Sequence, residues 1–134
     1  MKILHFSDTH NYHHRLRDLP EADVVVHSGD FCMAGTEQEA PDFLNWFCDL
    51  PYKHKIFICG KHDECLYGVN NEGLDSNVHF ICNSGVEIEG INFYGIPMFL
   101  SDCITERQNQ NYAKNPDDTG GCVVLTLPPR LVVI

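Results

Sequence analysis

The hydrophobic pattern in the first sixty residues predicts three short strands. Apolar and β-branched residues run over 2–6, 23–27 and 55–59. The middle run contains three consecutive valines at 24–26, which is typical of a strand covered on both faces of a sheet. Each run is followed by a polar segment, so the pattern indicates strands that end in loops.

A helix is predicted between the second and third strands. Apolar residues recur there at helical spacing and indicate a core-facing side: Phe43, Leu44, Phe47 and Leu50. Thr36 and Glu39 form a capping-box signature that predicts the helix start, while Pro41 either begins the helix or bends it. The order of strand, helix and strand predicts a parallel pair with a right-handed crossover.

The pattern changes after residue 77. Shorter apolar runs predict strands over 78–82, 86–88, 91–94 and 122–126, and a last apolar run covers 131–134. Glu89 and Gly90 lie between two of these runs and predict a tight hairpin. The polar stretch 109–121 predicts a surface loop, and Pro128-Pro129 predicts a turn. Together these elements predict one α/β domain over residues 1–134.

Composition narrows the classes of protein that fit. The chain of 134 residues has 9 Lys and Arg against 19 Asp and Glu, a formal net charge of −10. That balance argues against binding to a nucleic-acid backbone, which needs a basic footprint. No apolar run approaches membrane-spanning length. Seven cysteines without a Cys-x-x-Cys pair argue against a disulfide framework or zinc knuckle. With no signal-peptide pattern, a reducing cytoplasmic compartment is expected.

Three polar islands carry the chemistry: Asp8-Thr9-His10, Gly29-Asp30 and Gly60-Lys61-His62-Asp63. Each directly follows one of the three predicted strands. Because ligands of open α/β sheets bind outside the carboxyl ends of the strands, we expect these side chains to meet at one edge. Carboxylates and imidazoles together suit a hard-to-borderline divalent metal ion.

The order of these islands resembles the signature of calcineurin-like metallophosphoesterases, which reads D-x-H, G-D, G-N-H-D/E, H and G-H-x-H. Flanking segments, including 50–56 and 90–97, resemble one branch, the small metallophosphoesterase-domain phosphodiesterases. The resemblance implies an α/β fold, a mixed β-sandwich flanked by helices, which here is expected to lack the C-terminal half-sheet. It also implies hydrolysis of phosphodiesters such as cyclic nucleotides.

The resemblance also implies roles for individual residues. Asp8, His10 and Asp30 would hold a first divalent ion, either Mn, Fe or Zn, and Asp30 would bridge to a second ion. His62 would be the general acid that protonates the leaving alkoxide, and Asp63 would orient it. These two residues are the predicted catalytic pair.

Three departures from the family pattern bear on activity. Lys61 replaces the Asn ligand, Leu127 stands where the next His is expected, and the G-H-x-H segment is absent. A protonated ammonium cannot coordinate a metal and repels a second cation. Lys61 would instead pair with Asp30 or with a substrate phosphate. One ion per chain and weak or no turnover are therefore expected.

Several simpler interpretations remain open. Asp8 and Asp30 can be turn formers, Lys61 a solvated surface lysine, and His62 a hydrogen-bonded loop residue. His13 and His14 follow the first island and are secondary candidates for substrate contact.

The function predicted from the sequence is a phosphoesterase acting on a small phosphodiester or phosphomonoester through a degraded metal site. The alternatives are a non-catalytic remnant that binds metal or phosphate, and a truncated product of a longer phosphoesterase. The apolar run 131–134 would leave an open sheet edge, so a homo-oligomer is expected.

Overall fold

The structure, a computed structural model, describes residues 1–66 and 69–97, together with the backbone of two further strands, Cys122–Leu127 and Arg130–Val133. The predicted loop at 109–121 and the turn at Pro128-Pro129 lie outside the described residues. The side chain of Leu127 also lies outside them.

The first sheet contains four parallel strands in the order of the chain. They are β1 (Ile3–Phe6), β2 (Val24–His27), β3 (His54–Phe57) and β4 (Val78–Phe80). Phe6 pairs with His27, and His27 with Phe57, so the first three strands end level with one another. The three predicted strands and their parallel arrangement are thus confirmed.

Helix α1 (Glu39–Asp49) joins β2 to β3 and packs the buried side chains of Phe43 and Phe47 onto the sheet. The helix begins at Glu39, three residues after Thr36. The Glu39 carboxylate accepts a hydrogen bond from the Thr36 amide at 2.8 Å, which is one half of the predicted capping box, while no side chain caps the helix at Gln38. Pro41 lies in the first turn, where no intrahelical donor is lost.

The Glu39 carboxylate also fastens the segment before the helix. It accepts hydrogen bonds from the Ala34 amide, at 3.2 Å to each oxygen, and from the Asn11 side chain. Desolvation acts to raise the pKa of Glu39, but the bonds from Thr36, Ala34 and Asn11 outweigh it and lower that pKa to about 2.

The second sheet contains four antiparallel strands. They are β5 (Ser84–Ile88), β6 (Ile91–Ile96), β7 (Cys122–Leu127) and β8 (Arg130–Val133). Glu89 and Gly90, with φ of 50° and 80°, form the predicted tight hairpin between β5 and β6. An α/β fold with two sheets and a helix is therefore confirmed. The second sheet, which was expected to be largely missing, is present with these four strands.

Alternate residues of the central strands face opposite layers, as strand geometry requires. Val25 and Phe57 join the aromatic residues of α1, whereas Val24, Val26 and Ile56 pack with Ile88 and Phe93 of the second sheet. The parallel sheet is thus covered on both faces, as the valine run predicts. No helix among the described residues has the length and apolar content needed to cross a membrane.

Candidate functional site

Two glycines bring the loops after β2 and β3 into backbone contact. A Cβ atom on Gly29 would lie 2.4 Å from the Gly60 nitrogen, and one on Gly60 would lie 2.3 Å from Asp30 Oδ1. Side chains at either position would collide with main chain or with the carboxylate. The glycines of Gly29-Asp30 and Gly60-Lys61-His62-Asp63 are therefore required for the close approach of the two loops.

The loops that carry the candidate ligands adopt left-handed backbone conformations. Asp8, His10 and Asp30 have φ of 57°, 42° and 57°. Hydrogen bonds between the loops fix them, from the Asp8 amide to the Gly29 carbonyl at 3.0 Å and from the His10 amide to the Asp30 carbonyl at 3.1 Å. Such conformations cost about 1–3 kcal/mol each and cluster at functional sites.

Asp8, His10 and Asp30 form a group whose ligand atoms all lie within 4.8 Å of one another. His10 Nδ1 lies 3.0 Å from the Cys32 carbonyl, which can only accept, so the proton is on Nδ1 and the lone pair is on Nε2. That Nε2 lies 3.9 Å from Asp8 Oδ1. A histidine held in this way by a carbonyl is the usual outer-sphere arrangement of a metal ligand.

Asp30 is fully buried and only half satisfied. Its Oδ1 accepts the His62 amide at 2.9 Å, while its buried Oδ2 has no hydrogen-bond partner among the described residues. Burial raises the pKa of Asp30. An unpaired buried carboxylate oxygen is costly, and a cation bound beside it would offset that cost. The three residues therefore fit a divalent ion.

Asp63 is a fully buried loop anchor. Its carboxylate accepts the backbone amides of Asp30, Cys32 and Gly60 at 2.7–2.8 Å. Burial raises the pKa of Asp63 to about 6, against the effect of those amides. None of its described hydrogen bonds reaches the His62 imidazole, so the expected direct orientation of His62 by Asp63 is not what the geometry shows. Asp63 positions the loops instead.

His62 lies beside the ligand group. Its ring meets the His10 ring edge-on, with centroids 4.7 Å apart. Its Nδ1 donates to the Met33 carbonyl at 2.8 Å, which leaves Nε2 without a partner among the described residues. The carbonyl of Met33, rather than Asp63, fixes the orientation of this imidazole.

Lys61 and the two histidines of the first loop are not part of this group. Lys61 is exposed, and no described carboxylate lies within 4.0 Å of its ammonium, so the expected pairing with Asp30 is not observed. His13 and His14 turn instead towards Asp42 of α1.

Sequence reasoning missed two contributors to this site. The Cys32 and Met33 carbonyls hold the two imidazoles, yet backbone acceptors leave no signal in a residue pattern.

A surface depression of about 600 Å³ lies at the other end of the strands, near Lys2, Asp23 and Tyr52, and contains none of the predicted site residues.

Comparison with known proteins places this geometry in context. A family model described as calcineurin-like phosphoesterase matches residues 1–117. UPF0046 protein C25E10.12 from Caenorhabditis elegans is 33% identical in an alignment of length 115 that covers 72% of this chain and 41% of that protein. UPF0046 protein K07C11.7 of the same organism is 28% identical in an alignment of length 111 that covers 71% of this chain and 38% of that protein.

A mammalian relative also matches. Metallophosphoesterase domain-containing protein 1 from Homo sapiens is 30% identical over 98 residues, covering 73% of this chain and 30% of that protein. The chain thus spans about two-fifths or less of the length of these relatives.

Proposed function

This chain belongs to the calcineurin-like phosphoesterase family, and we propose that it is a metal-dependent phosphoesterase acting on a small phosphodiester. Asp8, His10 and Asp30 would hold a single divalent ion, of Mn, Fe or Zn. The observation that carries the proposal is the unpartnered, buried Oδ2 of Asp30 within reach of two further ligand atoms.

Each proposed ligand is prepared for an ion by its surroundings. The Cys32 carbonyl keeps the His10 lone pair on Nε2, and the His62 amide occupies only one oxygen of Asp30. When bound, the ion would polarise a phosphoryl oxygen and lower the pKa of a bound water. Asp8 is partly exposed, which leaves an approach for substrate.

His62 would supply a proton to the leaving alkoxide. In its charged form Nδ1 keeps the bond to Met33 and Nε2 carries the transferable proton. The short distance between the His10 and His62 rings puts this proton beside the ligand group. Positioning of a general acid in this way contributes about 10²–10⁴-fold to rate.

Turnover is proposed to be slow, because the residues expected to hold a second ion are changed. Lys61 is exposed where the family has an Asn ligand, and its ammonium cannot coordinate a cation. Loss of a second ion removes charge stabilisation of several kcal/mol from the transition state.

The exposed ammonium of Lys61 also favours a second candidate function. A chain that binds one ion or a phosphate group, without hydrolysis, needs Asp8, His10 and Asp30 but no second ion. In that case Lys61 would attract the anionic ligand rather than disable an enzyme.

The two functions are separated by measuring metal content and hydrolysis on the same preparations. We expect the manganese-loaded chain to retain at most one ion at the strand ends and to hydrolyse bis(p-nitrophenyl) phosphate slowly. Asp30→Asn should abolish both properties, whereas His62→Gln should lower kcat and keep the metal. Asp75→Asn, an exposed carboxylate elsewhere, is the matched control.

Three results would each contradict one part of this proposal. Metal retention without any hydrolysis would favour the binding function, and hydrolysis that survives Asp30→Asn would exclude this site as its source. Two ions bridged by Asp30 would show that Lys61 does not block the second position. Lys61→Asn combined with Leu127→His should tighten metal uptake if these residues limit it.

A further inference from the structure

A second group of metal-ligating atoms lies between the 3-10 turn His13–Arg15 and helix α1. Nε2 of His13 and Nε2 of His14 both lie 3.1 Å from Oδ2 of Asp42, and the three ligand atoms fall within 4.8 Å of one another. These three residues are separate from the strand-end group, which consists of Asp8, His10 and Asp30. They also make no contact named above for the loops of that group.

Hydrogen bonds of the turn order the backbone that carries both imidazoles, and burial fixes the His13 ring. The Arg15 amide bonds to the Tyr12 carbonyl at 2.8 Å, and the Leu16 amide bonds to the His13 carbonyl at 3.0 Å. The His13 ring is fully buried, with its centroid 5.0 Å from that of Trp46. A ligand would therefore have to impose little further order on the His13 side chain.

The two nitrogen-to-oxygen distances of 3.1 Å suit a tetrahedral ion. With bonds of about 2.0–2.1 Å to nitrogen and oxygen, two ligand atoms of a tetrahedral Zn²⁺ lie about 3.3 Å apart. Two N–H bonds to one carboxylate would give similar distances, so geometry alone allows both arrangements. Nε2 of His14 also lies 3.1 Å from Oδ1 of Asp42, so both carboxylate oxygens face this imidazole.

We propose that His13, His14 and Asp42 form a separate site for a borderline transition-metal ion such as Zn²⁺, with water completing its coordination. Two imidazoles and one carboxylate suit Zn²⁺, Co²⁺, Ni²⁺ and Cu²⁺ rather than Mg²⁺ or Ca²⁺. His14 and Asp42 are exposed, so the ion has an entry path from solvent.

The directions in which the pKa values of His13 and Asp42 are shifted agree with this site. Metal binding needs neutral imidazole and ionised carboxylate. Burial lowers the pKa of His13, and the hydrogen bond from His14 lowers the pKa of Asp42. Nδ1 of His13 has no described partner, and the lack of such an outer contact typically weakens a site by about 10–100-fold. The affinity is therefore expected to fall below that of closed structural zinc sites.

The proposed ion would connect the loop after β1 to α1. That loop carries Asp8 and His10, and the turn follows it directly in sequence. Binding would therefore stabilise the fold and restrict the loop that presents two strand-end ligands.

The experiment titrates the full chain with Co²⁺ and records its visible ligand-field absorption. His10→Gln provides a background in which the strand-end group is disabled, and Asp8→Asn provides a second background in case the first variant fails to fold. In each background we expect one Co²⁺ per chain, with at least 10-fold weaker binding after His14→Gln or Asp42→Asn. Both substitutions change exposed side chains. His79→Gln, on β4, is the control and should leave the titration unchanged.

A rise in melting temperature with Zn²⁺ that disappears in His14→Gln would further support the site. Equal Co²⁺ affinities with and without His14 would overturn the proposal, as would a folded background variant that binds no Co²⁺. Failure of the proposed function is distinguishable from failure of this site. If Asp8, His10 and Asp30 bind no ion, the unsubstituted chain and the His10→Gln chain will bind the same amount of Co²⁺.

Discussion

His27 should make the stability of this fold sensitive to mild acid. The residue ends β2 and is fully buried among aromatic rings, including those of Phe31 and Phe43 at 5.8 and 5.0 Å. Its Nδ1 accepts the Gly29 amide at 3.2 Å, so the neutral ring carries its proton on Nε2 and donates to Thr9 Oγ1 at 3.0 Å. Burial lowers the pKa of His27 to about 3.

The sign and size of the effect follow from linkage. Below pH 6.5 the unfolded chain gains a proton on this histidine and the folded chain does not, so acid favours unfolding. Between pH 8 and pH 5 the loss is about 2 kcal/mol for a folded pKa near 3. The loss approaches a ceiling of about 5 kcal/mol only below that pKa. Against a typical stability of about 5–15 kcal/mol this loss is large.

The assay is urea denaturation from pH 8 to pH 5 in the presence of a chelator, so that no metal contributes. His27→Gln retains a donor for Thr9 but does not titrate. We expect it to be less stable at pH 8 and to lose about 2 kcal/mol less than the unsubstituted chain as the pH falls. His54→Gln, at the start of β3, controls for removal of a histidine elsewhere. Equal pH dependence in His27→Gln and the unsubstituted chain would refute the reasoning.

Three other substitutions test the packing around the site. Gly60→Ala should prevent folding or lower the free energy of unfolding by more than about 3 kcal/mol, because the added Cβ would lie 2.3 Å from Asp30 Oδ1. The control is Gly73→Ala, where nothing lies within 4 Å, and it should lower that free energy by about 1 kcal/mol in thermal denaturation. Phe43→Ala should cost about 3–5 kcal/mol in urea, since its ring is fully buried. Glu39→Gln should reduce stability at pH 7 by about 1 kcal/mol, and this difference should vanish as the pH falls from about 4.5 to about 2.

The strand-end group could be predicted because each of its residues lies close in sequence to the strand that positions it. Apolar runs identified β1, β2 and β3, and the residues immediately after each run had to lie at one edge once the strands were parallel. The positions of Asp8, His10 and Asp30 follow from that argument alone. Gly29 and Gly60 were visible in the motifs, but the reason for them required coordinates: a Cβ added to Gly29 would lie 2.4 Å from the Gly60 nitrogen.

The hydrogen-bond partners of the polar residues could not be predicted, because each partner lies far away along the sequence. Asp63 is adjacent to His62, yet it bonds to amides of Asp30 and Cys32 some thirty positions away. His13 follows the first motif closely, yet it turns to Asp42. A residue pattern reports burial and periodicity, whereas the choice between competing polar partners depends on tertiary distances.

Several of the costs in this fold fall on the proposed ligands of one ion. Left-handed backbone at Asp8, His10 and Asp30, and an unpartnered buried oxygen on Asp30, each destabilise the metal-free chain. A cation at that point would offset the electrostatic cost and would make use of the strained geometry. Lys61, which the family resemblance places at a second-ion ligand position, is exposed. Asn11 and Asn83 carry the same two costs elsewhere in the chain. It is therefore the convergence of three ligand atoms within 4.8 Å, and not the cost alone, that leads us to expect ion binding at this edge to outlast efficient hydrolysis.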